Sequence, residues 1–353
     1  MKCIQISMQN KAEINLFLNF PDELYKNTFK THDKKTELKI LTSSHILSDQ
    51  FEVFPYIVLD DNKVMSRAVL TVYQNDDTAF VGFFESRDYF DATKLLFESI
   101  FKKAQSLNIK TLLGPVDGSI WIKYRFKTDH FENYYTGEPY NLPYYKTFWE
   151  NCGFEISDRY YSNIIKVPTA KDNLEKFEYR LKTALEKGYV IKNSSFKTYK
   201  NDLKAVYLLL INAYSKFPGF KKISEEQFIS LFYGLRHILV WDIVFLAYKD
   251  DKPAGFFVSI PNLGDLPYNL SFMNIIKLPF KKRNCKDFVL LYMGIGKEHL
   301  GLGGALAQTT KNYLQNHKST GVSALIHERN FSGSFYKNLT VDTSEYVLLK
   351  KHL

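Results

Sequence analysis

Cysteine is scarce in this chain. Cys3, Cys152 and Cys285 are the three among 353 residues, odd in number and widely scattered, so there is no disulfide framework and no Cys-x-x-Cys metal motif. Long apolar runs are missing too, since no stretch reaches the roughly 18 residues that a bilayer-spanning helix needs. The opening MKCIQISMQNKAEIN lacks the continuous apolar segment of a secretory leader. Neither export nor membrane insertion is expected, no membrane partner is expected, and a reducing, cytoplasmic compartment fits the cysteine usage. Disorder is excluded as the dominant state by a composition that is 45% hydrophobic and 24% charged, with 29 Phe and 24 Tyr.

A divisor of roughly 150 residues per domain suggests two domains. Charge differs between the halves: residues 1 to 195 hold 26 basic and 26 acidic side chains, and residues 196 to 353 hold 21 and 12, so the net +9 lies in the second half. A basic run, KLPFKKRNCK at 277 to 286, suits a solvated loop or an anionic partner. No series of aromatic residues accompanies it for base stacking, so nucleic acid is not the expected partner.

Residues 53 to 60 and 64 to 73 read as a hairpin, followed by a strand at 79 to 84. A helix follows, with Ala92, Leu95, Leu96, Ser99, Ile100 and Ala104 on one face, then a short strand at 111 to 113 and a helix near 144 to 151. A polar stretch, KVPTAKDN at 166 to 173, opens a connecting helix with Asp172 and Glu175 as its capping pair and Gly188 at its end. The second half repeats the order: a strand at 190 to 200, helices at 201 to 214 and 225 to 236, and a hairpin over 238 to 248 and 254 to 260. After the basic insert come a strand at 288 to 295, a helix at 303 to 316, a strand at 322 to 327, a helix at 331 to 339 and a last strand at 346 to 350. The expected fold class is α/β, as two tandem copies of one domain. The expected boundaries are 1–165 for the first domain, 166–188 for the linker and connecting helix, and 189–353 for the second domain.

The strongest local signal runs from Phe288 to Leu314, where an apolar strand leads into Gly301, Gly303 and Gly304 and a helix begins at once. First-turn amides without intrahelical acceptors, reached through residues lacking Cβ, suit a pyrophosphate. The order is neither the GxGxxG of a dinucleotide fingerprint nor the GK[ST] of a P-loop, and packing of the helix on a sheet is the alternative use of the same glycines.

These residues resemble the GCN5-related N-acyltransferase superfamily, and within it a bacterial tandem-domain group. EHLGLG at 298 to 303 has the spacing of that superfamily's Gln/Arg-x-x-Gly-x-Gly/Ala motif, with Glu298 in the first position. HERNFSGSFYKNL at 327 to 339 is similar to the segment that carries its Asn and Tyr. FPDELYKN at 20 to 27, LLGPVDGS at 112 to 119 and NLPYYKTFWENCGFE at 141 to 155 look like landmarks of the tandem group. The resemblance implies two α/β domains, each with a mixed, centrally splayed sheet, and an acyl-CoA donor, acetyl-CoA foremost, in the second. It implies that Gly301, Leu302, Gly303, Gly304 and Ala305 form the pyrophosphate loop, that Asn330 reaches the pantetheine arm, and that Tyr336 is the general acid. The amides of Met293, Gly294 and Ile295 would hold the donor carbonyl.

The matching loop of the first copy, ESRDYFDA, has no glycine and carries Glu85, Asp88 and Asp91, so the first domain is expected to be degenerate for CoA. The implied reaction is N-acyl transfer to a small-molecule or peptide amine, with no metal. His299, His327 and Glu328 leave the general base open. Two other readings share the fold: a noncatalytic binding protein and a tRNA-dependent aminoacyl transferase.

Overall fold

The computed structural model describes residues 1–29, 32–215, 217–268 and 272–353. Its elements in chain order are β1 (Lys2–Gln5), α1 (Lys11–Leu24), α2 (Lys34–Leu41), β2 (Phe51–Asp60), β3 (Lys63–Tyr73), β4 (Thr78–Ser86), α3 (Phe90–Ser106), β5 (Thr111–Gly114), β6 (Phe126–Lys127), α4 (Tyr145–Asn151) and β7 (Glu155–Ile165). They continue as α5 (Glu175–Glu186), β8 (Tyr189–Asn193), α6 (Tyr199–Ala213), α7 (Glu225–Phe232), β9 (Val244–Lys249), β10 (Lys252–Pro261), α8 (Phe272–Arg283), β11 (Asp287–Ile295), α9 (Leu302–Asn316), β12 (Thr320–His327) and β13 (Thr340–His352). Two compact units result: Met1–Arg159 with Glu345–Leu353, and Tyr160–Ser344.

The first unit pairs its strands in the order β1, β2, β3, β4, β5 and the end of β13, with β4 and β5 parallel and the other neighbours antiparallel. Helix α3 forms because Ala92, Leu96, Phe97, Ile100 and Ala104 recur at helical spacing, and it buries that stripe on the sheet beside Leu70, Val81 and Leu112. Each fully buried Leu, Ile or Phe contributes roughly 1.5 to 3 kcal/mol. Strand alternation sends Arg67 to the opposite face, where Glu37 of α2 pairs with it at 2.8 Å and the Phe17 carbonyl of α1 accepts from it at 2.8 Å.

The second unit repeats this order as β8, β9, β10, β11, β12 and the end of β7, with β11 and β12 as the parallel pair. Helices α5 and α9 cover one face, burying Phe177, Leu302, Leu306 and Leu314 with Phe257, Phe288 and Leu290, while α6 lies against β10 and β11.

The sixth strands are exchanged along the chain. Tyr160–Ile165 of β7 follow the first unit in sequence yet pair with β12, and Tyr346–His352 of β13 follow the second yet pair with β5 and β6. The sequence reading placed residues through 165 in the first domain and 189–353 in the second, because an alternating pattern marks a strand without naming its partner. Further differences are local. The basic insert contains helix α8, and residues 331 to 339 form two 3₁₀ turns, Phe331–Ser334 and Lys337–Leu339, in place of one α-helix. Asp172 closes a capping box with Thr169 around the turn Ala170–Asp172, so α5 starts at its own N-cap, Leu174.

Candidate functional site

Strands β11 and β12 stay paired only from Asp287↔Thr320 to Leu290↔Ser323. Both then bend through irregularities. Tyr292 and Leu290 face consecutive residues Val258 and Ser259 of β10, leaving Leu291 as the bulged residue. On β12 the register slips between Ser323 and Ile326, where Leu325 takes φ 56° and its amide donates to Ser162 Oγ at 3.0 Å. The pair therefore splays, and β11 runs on to Ile295 with β10 on one side only.

Backbone alternation fixes which groups face the gap. The Gly296 amide donates to the Ala254 carbonyl of β10 at 2.9 Å, so the Gly294 amide also faces β10, and those of Met293 and Ile295 face away from it. The Tyr214 hydroxyl, at the end of α6, donates to the Met293 carbonyl at 3.3 Å on that open side. Gly294 has a packing role, since a Cβ there would stand 2.6 Å from the Phe256 ring.

Helix α9 starts beside the same point. Gly301 is its N-cap at φ 94°, a left-handed conformation that favours glycine, and open space surrounds its Cα. A Cβ on Gly303 would lie 3.5 Å from Phe335 and 3.9 Å from Met293, which puts the first turn of α9 against the end of β11. Leu302 and Ala305 are buried, so only their backbone can serve a ligand. The amides of Leu302 and Gly304 donate to the carbonyls of His299 and Gly301. Gly304 faces α5, where a Cβ would stand 2.7 Å from Arg180 Cδ and 3.0 Å from its Nη1. Arg180 thus lies along the positive end of α9 and, among the described residues, has no ion-pair partner; such a placement is unfavourable unless an anion joins it.

Glu298 is exposed and pairs with His299 Nε2 at 3.3 Å, while His299 Nδ1 and the Tyr189 hydroxyl are 2.9 Å apart. The carboxylate is thus tied into a side-chain chain. Asn330 is exposed, and its amide donates to the His327 carbonyl at 2.8 Å. His327 is buried at the end of β12, where Nδ1 accepts from the Arg329 amide at 3.2 Å.

The general-acid reading of Tyr336 needs correction. Its side chain is 3% exposed, its hydroxyl donates to the Ala307 carbonyl inside α9 at 3.0 Å, and burial pushes the phenol far above its ordinary value. The two 3₁₀ turns, with Tyr336 between them, direct it into the core. Tyr214 is the hydroxyl at the gap. Its sequence signal is faint: an aromatic at a helix end just ahead of Pro218 and Gly219.

The first unit builds the same splay and fills it. Pairing of β4 and β5 stops at Phe80↔Leu113, and Phe83 takes φ 49°. Beyond that point the Val116 amide donates to the Val81 carbonyl at 2.9 Å, and the Phe83 amide donates to the Asp117 carboxylate. Gly82 permits this approach, since a Cβ there would stand 2.0 Å from the Val116 carbonyl oxygen. Glu85 lies in β4 and not in the loop where sequence placed it. Its buried carboxylate accepts from the hydroxyls of Tyr25 at 2.8 Å and Tyr145 at 2.7 Å, and burial pushes its pKa up. Asp91 lies in the first turn of α3, and Asp88 precedes it.

Comparisons with known proteins bear on the fold. No family model matches the chain, and no curated protein matches it in sequence. Among solved structures it is similar to a tandem GNAT protein from the clavulanic acid biosynthesis pathway, determined without AcCoA, at 12% identity and a TM-score of 0.56 over 99% of this chain and 98% of that one. It is also similar to the GCN5-related glucosamine N-acetyltransferase region of a fungal multi-domain GH3 β-N-acetylglucosaminidase, at 11% identity and a TM-score of 0.52 over 99% of this chain and 38% of that one. A probable N-acyltransferase from Enterococcus faecalis V583 matches at 10% identity and a TM-score of 0.50 over 99% and 72%. The fold is that of the tandem GCN5-related acyltransferase proteins: α/β, with two domain copies.

Proposed function

We propose that the protein is a CoA-dependent N-acyltransferase that binds acyl-CoA, acetyl-CoA foremost, in the second unit and passes the acyl group to an amine. The observation that carries this reading is the open splay. Two outward amides, Met293 and Ile295, line it, and the Gly301-capped start of α9 lies beside Met293. A pyrophosphate accepts the Gly303 amide at that helix start, and Arg180 supplies the cation that Glu298 does not. The pantetheine arm follows the gap, and the exposed Asn330 carboxamide is available to it.

The chemistry follows from this placement. The amine nitrogen attacks the thioester carbonyl, and the oxygen that gains charge is held by the Met293 or Ile295 amide. That attack forms the C–N bond, and collapse restores the carbonyl, breaks the C–S bond and leaves a thiolate, which takes a proton from Tyr214. The nitrogen loses its proton to solvent or to a base that the reading leaves unassigned. Tyr336 positions α9 through Ala307.

A binding-only role is favoured by the commitment of both hydroxyls to backbone carbonyls, Tyr336 to Ala307 and Tyr214 to Met293. Turnover with acetyl-CoA and a panel of amines separates the readings. Tyr214→Phe is expected to lower kcat by about tenfold to ten-thousandfold with donor affinity unchanged. Tyr336→Phe is expected to leave kcat unchanged. The reverse pattern restores Tyr336 as the acid, and no turnover with any amine leaves the binding role.

A further inference from the structure

Helix α8 carries charge and apolar surface that the acyl-transfer reading does not use. Its twelve residues, FMNIIKLPFKKR, contain no acid. Ile276 and Phe280 are four apart, so they share a face, and they are 48% and 68% exposed. Lys277 and Lys281, also four apart, form the neighbouring stripe, and Arg283 returns to the apolar face. The inward side is defined by half-buried Leu278 and Lys282, whose Nζ donates to the His237 carbonyl at 3.4 Å.

That contact brings the inward side of α8 to a neighbouring turn with a further cation and exposed ring. Next to His237 the Arg236 guanidinium lies 3.9 Å from the Tyr233 ring and 5.2 Å from Phe196, itself 54% exposed. Among the described residues, Lys277, Lys281, Arg283 and Arg236 form no ion pair with a carboxylate. On the outer side of α8, exposed apolar side chains are therefore interleaved with uncompensated cations. Water solvates the cations but not the Phe280 and Ile276 side chains.

We propose that this face docks on an anionic lipid bilayer, with α8 lying in the plane of the headgroups, Ile276 and Phe280 entering the acyl boundary and the lysines meeting lipid phosphates. The helix is far too short to span, and no described helix is long and apolar enough to cross a membrane. The lack of a spanning segment, which underlies the expectation of no membrane partner, does not bear on a helix that lies in the interface. A polyanionic nucleic acid satisfies the cations equally well, but Ile276 offers no π-face to a base and RNA gives the apolar ridge nothing to enter.

The test is sedimentation of the full chain with vesicles of equimolar phosphatidylcholine and phosphatidylglycerol, against vesicles of phosphatidylcholine alone. Binding is expected only to the anionic vesicles, weakening as salt rises. It should drop by about tenfold or more in Lys277→Glu with Lys281→Glu, and by about tenfold in Ile276→Ser with Phe280→Ser. All these positions are exposed, and circular dichroism confirms that the variants fold. In Phe280→Trp, vesicle addition should shift the new indole's emission to the blue. Three outcomes overturn the proposal: no sedimentation above the neutral control, binding indifferent to the Ile276 and Phe280 changes, or an unshifted indole emission in the Phe280→Trp protein. Binding to polyuridylate that needs the lysines and ignores the apolar pair assigns the face to RNA instead.

Discussion

Two parallel strand pairs splay in this molecule, and they end in opposite states. In the second unit β11 leaves β12 after Leu290 and keeps the Met293 and Ile295 amides turned outward. In the first unit β4 leaves β5 after Phe80, and the chain's own Val116 and Asp117 take up the Val81 carbonyl and the Phe83 amide. The same backbone geometry can thus present a polar edge or satisfy it internally. Which occurs depends on the next few residues, here Gly114-Pro115-Val116-Asp117 against Ala324-Leu325-Ile326. The charges differ as well: Arg87, in the loop before α3, is bound to the Val64 carbonyl and to Glu23, whereas Arg180 at the start of α9 has no carboxylate partner among the described residues.

The comparison breaks most visibly at the glycines. Gly82→Val forces a side chain into the Val116 backbone, with an expected loss of about 3 kcal/mol or more and a fall in the first unit's melting temperature of roughly 6 to 12 °C. Gly303→Ala adds a methyl in ordinary contact distance of Phe335, and thermal unfolding should be unchanged or slightly improved. Equal sensitivity at both positions would mean that the first splay is not packed shut. A smaller effect belongs to Tyr336→Phe, where loss of the hydrogen bond to Ala307 should cost about 1 kcal/mol in denaturant unfolding.

The smallest effect lies at the entry to α5, the helix that carries Arg180. Hydrogen bonds from Thr169, then Lys166, hold the Asp172 carboxyl down at about 2, below its ordinary value of 3.8. A depressed native pKa stabilises above the unfolded value, and that contribution is lost as pH falls from about 4 towards 2. The carboxylate is half-buried beside a largely exposed Lys166, and solvent screens the pair, so Asp172→Asn should cost only about 0.5 kcal/mol near pH 7, with the difference fading as pH approaches 2. Unfolding curves of both proteins across that range check the sign.

Much of the fold was legible because periodicity is local. The stripe Ala92, Leu96, Ile100, Ala104 and the run Phe288 to Ile295 declared a helix and a strand from their own spacing. Strand exchange was not legible, since nothing in Tyr346 to Lys350 says which sheet it joins. Pro279 disguised α8 as a loop, because a proline inside a helix loses a backbone donor and crowds the carbonyl four residues back, a cost this helix accommodates. The glycine loop was visible as Gly301, Gly303 and Gly304, but their division of labour was not: Gly301 supplies the turn, Gly303 faces Met293 and Gly304 admits α5. Tyr336 took its role from the resemblance of its segment to a family motif, and a motif does not show that two tight turns send the side chain into the core. Arg180 could not be connected to α9 by sequence, since that contact joins residues more than a hundred positions apart.

The central claim is that only the second splay receives the donor, and titration calorimetry with acetyl-CoA tests it directly. One site per chain is expected, weakened by about tenfold or more in Arg180→Glu, a loss of about 1.4 kcal/mol or more, and unaffected in Arg87→Gln at the first unit's loop. Two sites per chain, or an Arg180→Glu protein that binds acetyl-CoA as tightly as the parent, would contradict the account.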